Sequence, residues 1–163
     1  MSKGKSLESI LQILKESLEQ KLIILSAIEL KSKEQAELAA NPDVLLEDLD
    51  SNMDEKTELI EKLTKLDTGF EALYDDIREE LLENKAAYKS QIAQIQDLIA
   101  KVIEKSASIE AVEKRNKTAI EGIFKSRKKE LQHRKNASSV ARHYYNATNK
   151  LNVINPVFMD KKK

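Results

Sequence analysis

The segment "LESILQILKESLEQKLIILSAIEL", residues 7–30, has the clearest helical pattern in this chain. Large apolar side chains recur in it at alternating steps of three and four, which is typical of the buried seam of a coiled coil or helical bundle. They are Leu7, Leu11, Leu14, Leu18, Leu22, Leu25 and Ile28 or Glu29. The spacing predicts a helix that begins with Ser6 as its N-cap and ends near Ala39, because the α conformation is disfavoured at Asn41, the residue before Pro42.

The composition supports an all-helical protein with one domain's worth of chain. The 163 residues include only three Gly and two Pro, too few for the frequent turns of a sheet protein, and 34% are charged. Cysteine is absent, which excludes disulfides, a thiol nucleophile and a Cys-based zinc site. No N-terminal stretch resembles a signal peptide and no uncharged run approaches membrane-spanning length, so we expect a cytoplasmic protein without stable membrane insertion.

A second helix is predicted from Val44 to about Glu83. One seam position of its heptad holds Leu49, Lys56, Leu63, Phe70 and Ile77, and the other holds Leu59, Leu66 and Leu73. The pattern is poor over 50–56, which favours a loop there with Asp54 starting the helix proper. Asp43 is predicted to cap the second helix or to lie in its opening turn.

The third helix is predicted over Lys85 to Lys135, about 75 Å at 1.5 Å per residue. Its apolar stripe comprises Tyr88, Ile92, Ile95, Ile99, Val102, Ile109, Val112, Ile120, Ile123 and Phe124. Polar residues interrupt it at "EKSAS" and at Asn116. An Asn at a seam position can fix the register of a coiled coil, but we interpret this one as a locally tolerated polar residue.

A short fourth helix with Ser138 or Ser139 as its cap is predicted next, with Val140, Tyr144, Ala147 and Leu151 on one face. The expected architecture is therefore an elongated antiparallel bundle of three long helices plus this short helix and an extended tail. Residues 1–137 would form the long helical-hairpin or bundle domain. Residues 138–163 would form the short helix and a flexible partner-binding tail of the same domain.

Charge is divided unevenly along the chain although the net charge is zero. Residues 111–163 carry 14 Lys or Arg against 4 Asp or Glu, so the preceding residues carry the compensating negative charge. The third helix is also predicted to project beyond the first or to bend back, and the projecting part would carry Ile120, Ile123 and Phe124. Apolar residues without cover in their own chain imply a partner, a second copy or disorder.

The sequence offers no constellation of catalytic residues, so we expect a protein that is not an enzyme and needs no cofactor or metal. The two histidines, His133 and His143, lack the spacing of a helical metal site, and no glycine-rich phosphate loop is present. The basic last third could contact a phosphate backbone. We regard nucleic-acid binding as the less favoured alternative, since no recognition helix or RNA-binding signature accompanies the charge.

Two segments resemble the FlgN-like flagellar export chaperones, especially the clostridial branch. They are "MDEKTELIEKLTKLDTGFEALYDDIREEL" (53–81) and "EKRNKTAIEGIFKSRKKEL" (113–131), followed by the Tyr-bearing end "YYNATNKLNVINPVFMDKKK". The resemblance covers nearly the whole chain, although many family members lack the "NPVFMDKKK" extension.

The resemblance implies a cytoplasmic all-α chaperone of flagellar type III export. Its partners would be the C-terminal helices of hook–filament junction proteins, kept from premature assembly, and the export apparatus. Client binding would fall in the C-terminal third, and the apolar and aromatic residues of the C-terminal tail fit the same role. The resulting candidate anchors are Ile120, Ile123, Phe124, Leu131, Val140, Tyr144, Tyr145, Leu151, Val157 and Phe158. A homodimeric coiled-coil scaffold without a client remains the alternative from a different class.

Overall fold

Three long helices account for nearly all of residues 6–128, the part of the chain that the computed structural model describes. They are α1 (Leu7–Ala40), α2 (Leu46–Glu83) and α3 (Lys89–Ser126). The described residues contain no strand. The prediction of a bundle of three long helices is therefore confirmed, while the predicted short helix and tail of residues 138–163 lie outside the described residues.

Cross-helix contacts give the directions of the three helices. Lys21 pairs with Asp67 and Lys31 with Glu55, so α1 and α2 are antiparallel. Glu29 pairs with Lys105 and Gln35 bonds to Asn116, so α1 and α3 are parallel. Helix α1 lies against both neighbours, whereas α2 and α3 meet through side chains rather than through close backbone approach.

The first helix agrees with its prediction in both termini. The Ser6 hydroxyl accepts a hydrogen bond from the Ser9 amide at 3.1 Å, which is the expected N-cap geometry. The predicted seam is correct except at one step, where Lys21 is buried and Leu22 only partly so. The seam then continues through two polar residues, Ser32 and Gln35, which are both fully buried.

The predicted loop at the start of α2 is wrong, because the helix is continuous from Leu46 to Glu83. One of its polar residues faces α1 rather than solvent: Asn52 is buried and its side-chain amide donates to the Lys31 carbonyl at 3.1 Å. Asp43 does not cap the helix either. Its own amide donates to the Asn41 side chain, and Leu45 occupies the N-cap position without a side-chain bond.

The two seam positions predicted for α2 have different outcomes. The series from Leu49 to Ile77 is buried at every member, Lys56 included. The other series is displaced by one residue, since Leu59, Leu66 and Leu73 are only partly buried. The buried positions are instead Met53, Ile60, Asp67, Tyr74 and Leu81. A buried aspartate in this series hid the correct register from a search for apolar residues.

Helix α3 is shorter at its start than predicted and is unbroken in its middle. It begins at Lys89 rather than Lys85, and Ser106 is a buried seam residue within a continuous helix. Its 38 residues, like those of α2, span about 57 Å, against about 51 Å for the 34 residues of α1. The described part of α3 therefore matches its neighbours in length, and the predicted continuation beyond residue 128 lies outside the described residues.

Gly69 offers a direct test of the helix assignment in α2. A methyl group added there meets no atom within 4 Å. We expect Gly69→Ala to raise the free energy of unfolding by about 0.5–1 kcal/mol, because alanine loses less backbone entropy in a helix. Urea unfolding followed by circular dichroism would measure the change. Ala72, which is exposed in the same helix, gives the converse control. Ala72→Gly should lower the free energy of unfolding by a similar amount. Equal stability of all three chains would contradict the assignment.

Candidate functional site

The end of α3 carries the only candidate partner-binding residues that the structure describes. Ile120 is 0% exposed and belongs to the bundle core, so the expectation that it projects without cover is wrong. Ile123 and Phe124 are partly buried and pack against that core while retaining some exposure. Seven of the ten candidates lie outside the described residues: Leu131, Val140, Tyr144, Tyr145, Leu151, Val157 and Phe158.

Arg127 attaches the end of α3 to the connection between α1 and α2. Its guanidinium donates one hydrogen bond to the Pro42 carbonyl at 2.6 Å and a second to the Val44 carbonyl. Both acceptors belong to a connection whose Val44 side chain is itself buried. A planar guanidinium that binds two carbonyls restricts both distance and orientation. Ile123 and Phe124 are therefore presented at a defined place beside this connection.

A layer of five buried polar residues lies in the core next to this end of the bundle, and we call it the polar layer. Its members come from all three helices and are between 0 and 5% exposed: Ser32, Gln35, Lys56, Glu113 and Asn116. The sequence places Ser32, Lys56 and Asn116 one seam step away from Ile28, Ile60 and Ile120, with Gln35 and Glu113 one step further. The polar layer thus interrupts the apolar seam at this level.

Hydrogen bonds and one ion pair connect the members of the polar layer. The Lys56 ammonium lies 2.5 Å from a Glu113 carboxylate oxygen and donates to the Gln35 side-chain oxygen at 2.9 Å. The Ser32 hydroxyl donates to the same Glu113 carboxylate at 2.6 Å. The arrangement joins α1, α2 and α3 at one level, so sliding any helix along its axis would break several bonds together.

Asn116 completes the polar layer and corrects our interpretation of it as a merely tolerated residue. Its side-chain amide donates to the Ser32 carbonyl at 2.9 Å and to the Gln35 side-chain oxygen at 3.0 Å. A buried Asn at a seam position can specify register because any other alignment leaves its amide without partners. The geometry here meets that condition between α1 and α3.

Burial alters the protonation of Lys56. Removal from water disfavours the ammonium and lowers its pKa to about 8, although the neighbouring Glu113 partly opposes the change. In the unfolded chain the pKa returns to about 10.5. Between these two values the unfolded chain therefore binds more protons at Lys56 than the folded chain does, and folding becomes more favourable as the pH rises.

We expect this effect in the difference in stability between the natural chain and Lys56→Met/Glu113→Met, which lacks both charges. The free energy of unfolding of the natural chain should rise relative to the variant from about pH 8 to about pH 10.5. The upper limit is about 1.4 kcal/mol per pH unit. Urea unfolding across this range would measure it. A Lys62→Met chain, altered at an exposed lysine, should show no such difference, and a flat difference for the double variant would contradict the assignment.

A second buried ion pair lies further along the α1–α2 interface. The Lys21 ammonium is 2.7 Å from an Asp67 carboxylate oxygen, with side-chain exposures of 2% and 11%. Burial raises the pKa of Asp67, while the hydrogen bond from Lys21 opposes the rise. Both residues hold seam positions, so this pair ties α1 to α2 as the polar layer ties all three helices.

Other kinds of site are not supported within residues 6–128. No group of three or more His, Cys, Asp or Glu side chains in this part of the chain could hold a metal ion, and both histidines lie outside it. Over the same residues, no helix combines the length and apolarity needed to cross a membrane.

Comparison with known proteins returned no match to a family model, to a curated protein or to a solved structure.

Proposed function

We propose that this chain is a chaperone of flagellar type III export that holds the C-terminal helical region of hook–filament junction proteins. It would keep these clients from premature assembly and deliver them to the export apparatus. The resemblance of residues 53–81 and 113–131 to FlgN-like chaperones supports the family. The observation on which the site rests is that the apolar row of α3 continues past the core residue Ile120 into the partly covered Ile123 and Phe124.

The geometry suits capture of an amphipathic helix. Such a helix binds through apolar anchors spaced three or four residues apart. Ile123 and Phe124 follow the buried Ile120 by three and four residues, so the apolar row of α3 reaches the surface with this spacing. The next residues of the chain add the remaining candidate anchors, Leu131 to Phe158. The bonds of Arg127 to the α1–α2 connection hold the starting point of this row in place.

Phe124 provides the point test of this proposal. We expect Phe124→Ser to weaken binding of a junction protein's C-terminal helical fragment about tenfold, or about 1.4 kcal/mol, because a partly exposed aromatic anchor is lost. Isothermal titration calorimetry would measure the dissociation constant. Leu73→Ser is the matched control, since Leu73 is also partly buried against the core but lies on α2. Equal binding by both variants would remove Phe124 from the site.

A homodimeric scaffold is the second candidate, and it is favoured by the exposure of Ile23 and Leu30 on α1, at 62% and 70%. Two copies could cover these side chains. Light scattering of the natural chain and of Ile23→Ser/Leu30→Ser separates the candidates. A dimer that becomes a monomer in the variant favours the scaffold, whereas a monomeric natural chain excludes it.

A further inference from the structure

The outer face of α1 carries an apolar patch that the bundle leaves uncovered. Ile23 and Leu30, two turns apart on one face, are 62% and 70% exposed. Ser26 and Ala27 lie between them, and we call these four residues the α1 patch. The other large apolar side chains exposed among the described residues, Leu45, Leu82 and Ile103, lie on other elements. Ile23 and Leu30 are therefore the pair that share one helix face.

Acidic residues border the α1 patch at both ends. Glu16 and Glu19 precede it, Glu34 and Glu37 follow it, and all four side chains are exposed. Steps of three and four residues place them on the same face as the patch. Two bases lie beside this face: the exposed Lys33, and Lys31, which pairs with Glu34 at 3.3 Å. The surface is thus apolar in its middle and negative at its ends, which fits a basic amphipathic helix.

We propose that the α1 patch is the docking site of residues 138–151 of this same chain, bound as a fourth helix antiparallel to α1. The sequence gives this segment an apolar row of the required spacing in Val140, Tyr144, Ala147 and Leu151. Residues 138–151 hold two bases, Arg142 and Lys150, and no Asp or Glu, and residues 129–163 as a whole hold eight Lys or Arg against two Asp or Glu. An acidic rim and a basic segment attract each other and favour this pairing over others.

The path of the chain allows this docking. Arg127 is bound to the Pro42 and Val44 carbonyls, so the chain leaves α3 beside the connection that follows α1. Leu30 is eleven residues before Asn41, or about 17 Å along the α1 axis. Residues 129–139 can span about 36 Å when extended, enough to pass around the bundle end and bring Val140 beside Leu30. As a helix, Val140 to Leu151 covers about 17 Å, which exceeds the separation of about 10 Å between Leu30 and Ile23.

A second copy of the chain fits the α1 patch less well. A twofold pairing of two α1 faces would set Ile23 against Leu30 of the other copy. The same symmetry would place Glu19 against Glu34 and Glu16 against Glu37, so like charges would meet at both ends. Like-charge juxtaposition disfavours an interface, whereas the basic C-terminal segment replaces this repulsion with attraction.

Hydrogen exchange on the full-length chain tests the proposal without any client. We expect protected amides within residues 140–151, and at least a tenfold loss of that protection in Ile23→Ser/Leu30→Ser. Both side chains are mostly exposed, so the bundle itself should keep its exchange rates. Leu45→Ser/Leu82→Ser is the matched control and should leave the protection of 140–151 unchanged. Absence of protection in the natural chain, or protection unaffected by the patch variant, would overturn the proposal.

Cross-linking then separates docking within one chain from docking between copies. Because the natural chain lacks cysteine, Ser26→Cys/Ala147→Cys can be treated with a short bismaleimide. We expect cross-linked monomers, and no cross-link in Glu58→Cys/Ala147→Cys, where the first site lies on the outer face of α2. Cross-linked dimers, or no cross-link in the first variant, would overturn the proposal. These outcomes do not depend on the proposed function. If this docking and the proposed function both hold, a client helix must compete with α1 for Val140 and Tyr144.

Discussion

Replacing Glu113 with alanine should lower the free energy of unfolding by about 3–5 kcal/mol, because the substitution leaves the buried Lys56 ammonium without its carboxylate. Lys56 is 0% exposed and cannot turn to water. Ser32 also loses the acceptor of its hydroxyl hydrogen bond, the Glu113 carboxylate oxygen, which lies 2.6 Å away in the natural chain. Urea unfolding at about pH 7 would measure the loss. In the natural chain the Lys56 amine is protonated at this pH, which lies below its lowered pKa, and removal of Glu113 lowers that pKa further.

Two further variants show whether the loss comes from the stranded charge. Glu110→Ala, at an exposed position of the same helix, should change the free energy of unfolding by less than about 0.5 kcal/mol. Lys56→Met/Glu113→Met should recover much of the stability, since a buried ion pair replaced by apolar residues of similar size is often neutral. Ser32 can then bond to its own helix. A double variant as unstable as Glu113→Ala would show that packing, rather than charge, sets the cost.

Lys21→Met should destabilise the chain by about 2–4 kcal/mol at about pH 7, and the loss should shrink as the pH falls. The reason is that Asp67 remains buried without the hydrogen bond that opposes its raised pKa. A carboxyl group whose pKa is raised in the folded state binds a proton more readily in the folded chain than in the unfolded chain. Folding therefore becomes more favourable as the pH decreases toward and through that pKa. The loss of stability in the variant should therefore be smaller when it is measured at about pH 5 than at about pH 7.

The control for this second prediction is Lys33→Met, which removes an exposed charge of α1. It should change stability by less than about 0.5 kcal/mol at either pH. Urea unfolding of the three chains at both pH values gives the comparison. A loss for Lys21→Met that is the same at both pH values would contradict the account of Asp67.

The sequence predicted the helices well where the seam is apolar and poorly where it is polar. Leucines at steps of three and four identified α1, and a serine with the right geometry marked its start. At Lys21, Asp67 and Glu113 the same spacing continues through charged residues, which in sequence cannot be told from exposed ones. Only the partner on the facing helix makes their burial favourable, and that partner is distant in sequence: residue 21 meets 67, and 56 meets 113.

The candidate site could be predicted only in part for the same reason. Ile123 and Phe124 lie where an apolar row leaves the core, but burial of Ile120 follows from the way α3 packs beside α1. The polar layer was missed apart from Asn116 and the seam position of Lys56. Its signal was present in the unbroken three-and-four spacing of Ile28, Ser32 and Gln35, and of Ile109, Glu113, Asn116 and Ile120. The three-and-four spacing itself, taken without regard to residue type, predicts that these polar residues are buried.

The most direct test of the proposed function is a calorimetric titration with the C-terminal helical fragment of a hook–filament junction protein from the same organism. The full chain and a chain ending at Lys135 would be compared, since the shorter chain keeps all three described helices. We expect micromolar or tighter binding by the full chain and at least tenfold weaker binding, about 1.4 kcal/mol, after truncation. Binding that survives truncation would move the site into the bundle. No binding by the full chain would contradict the chaperone proposal.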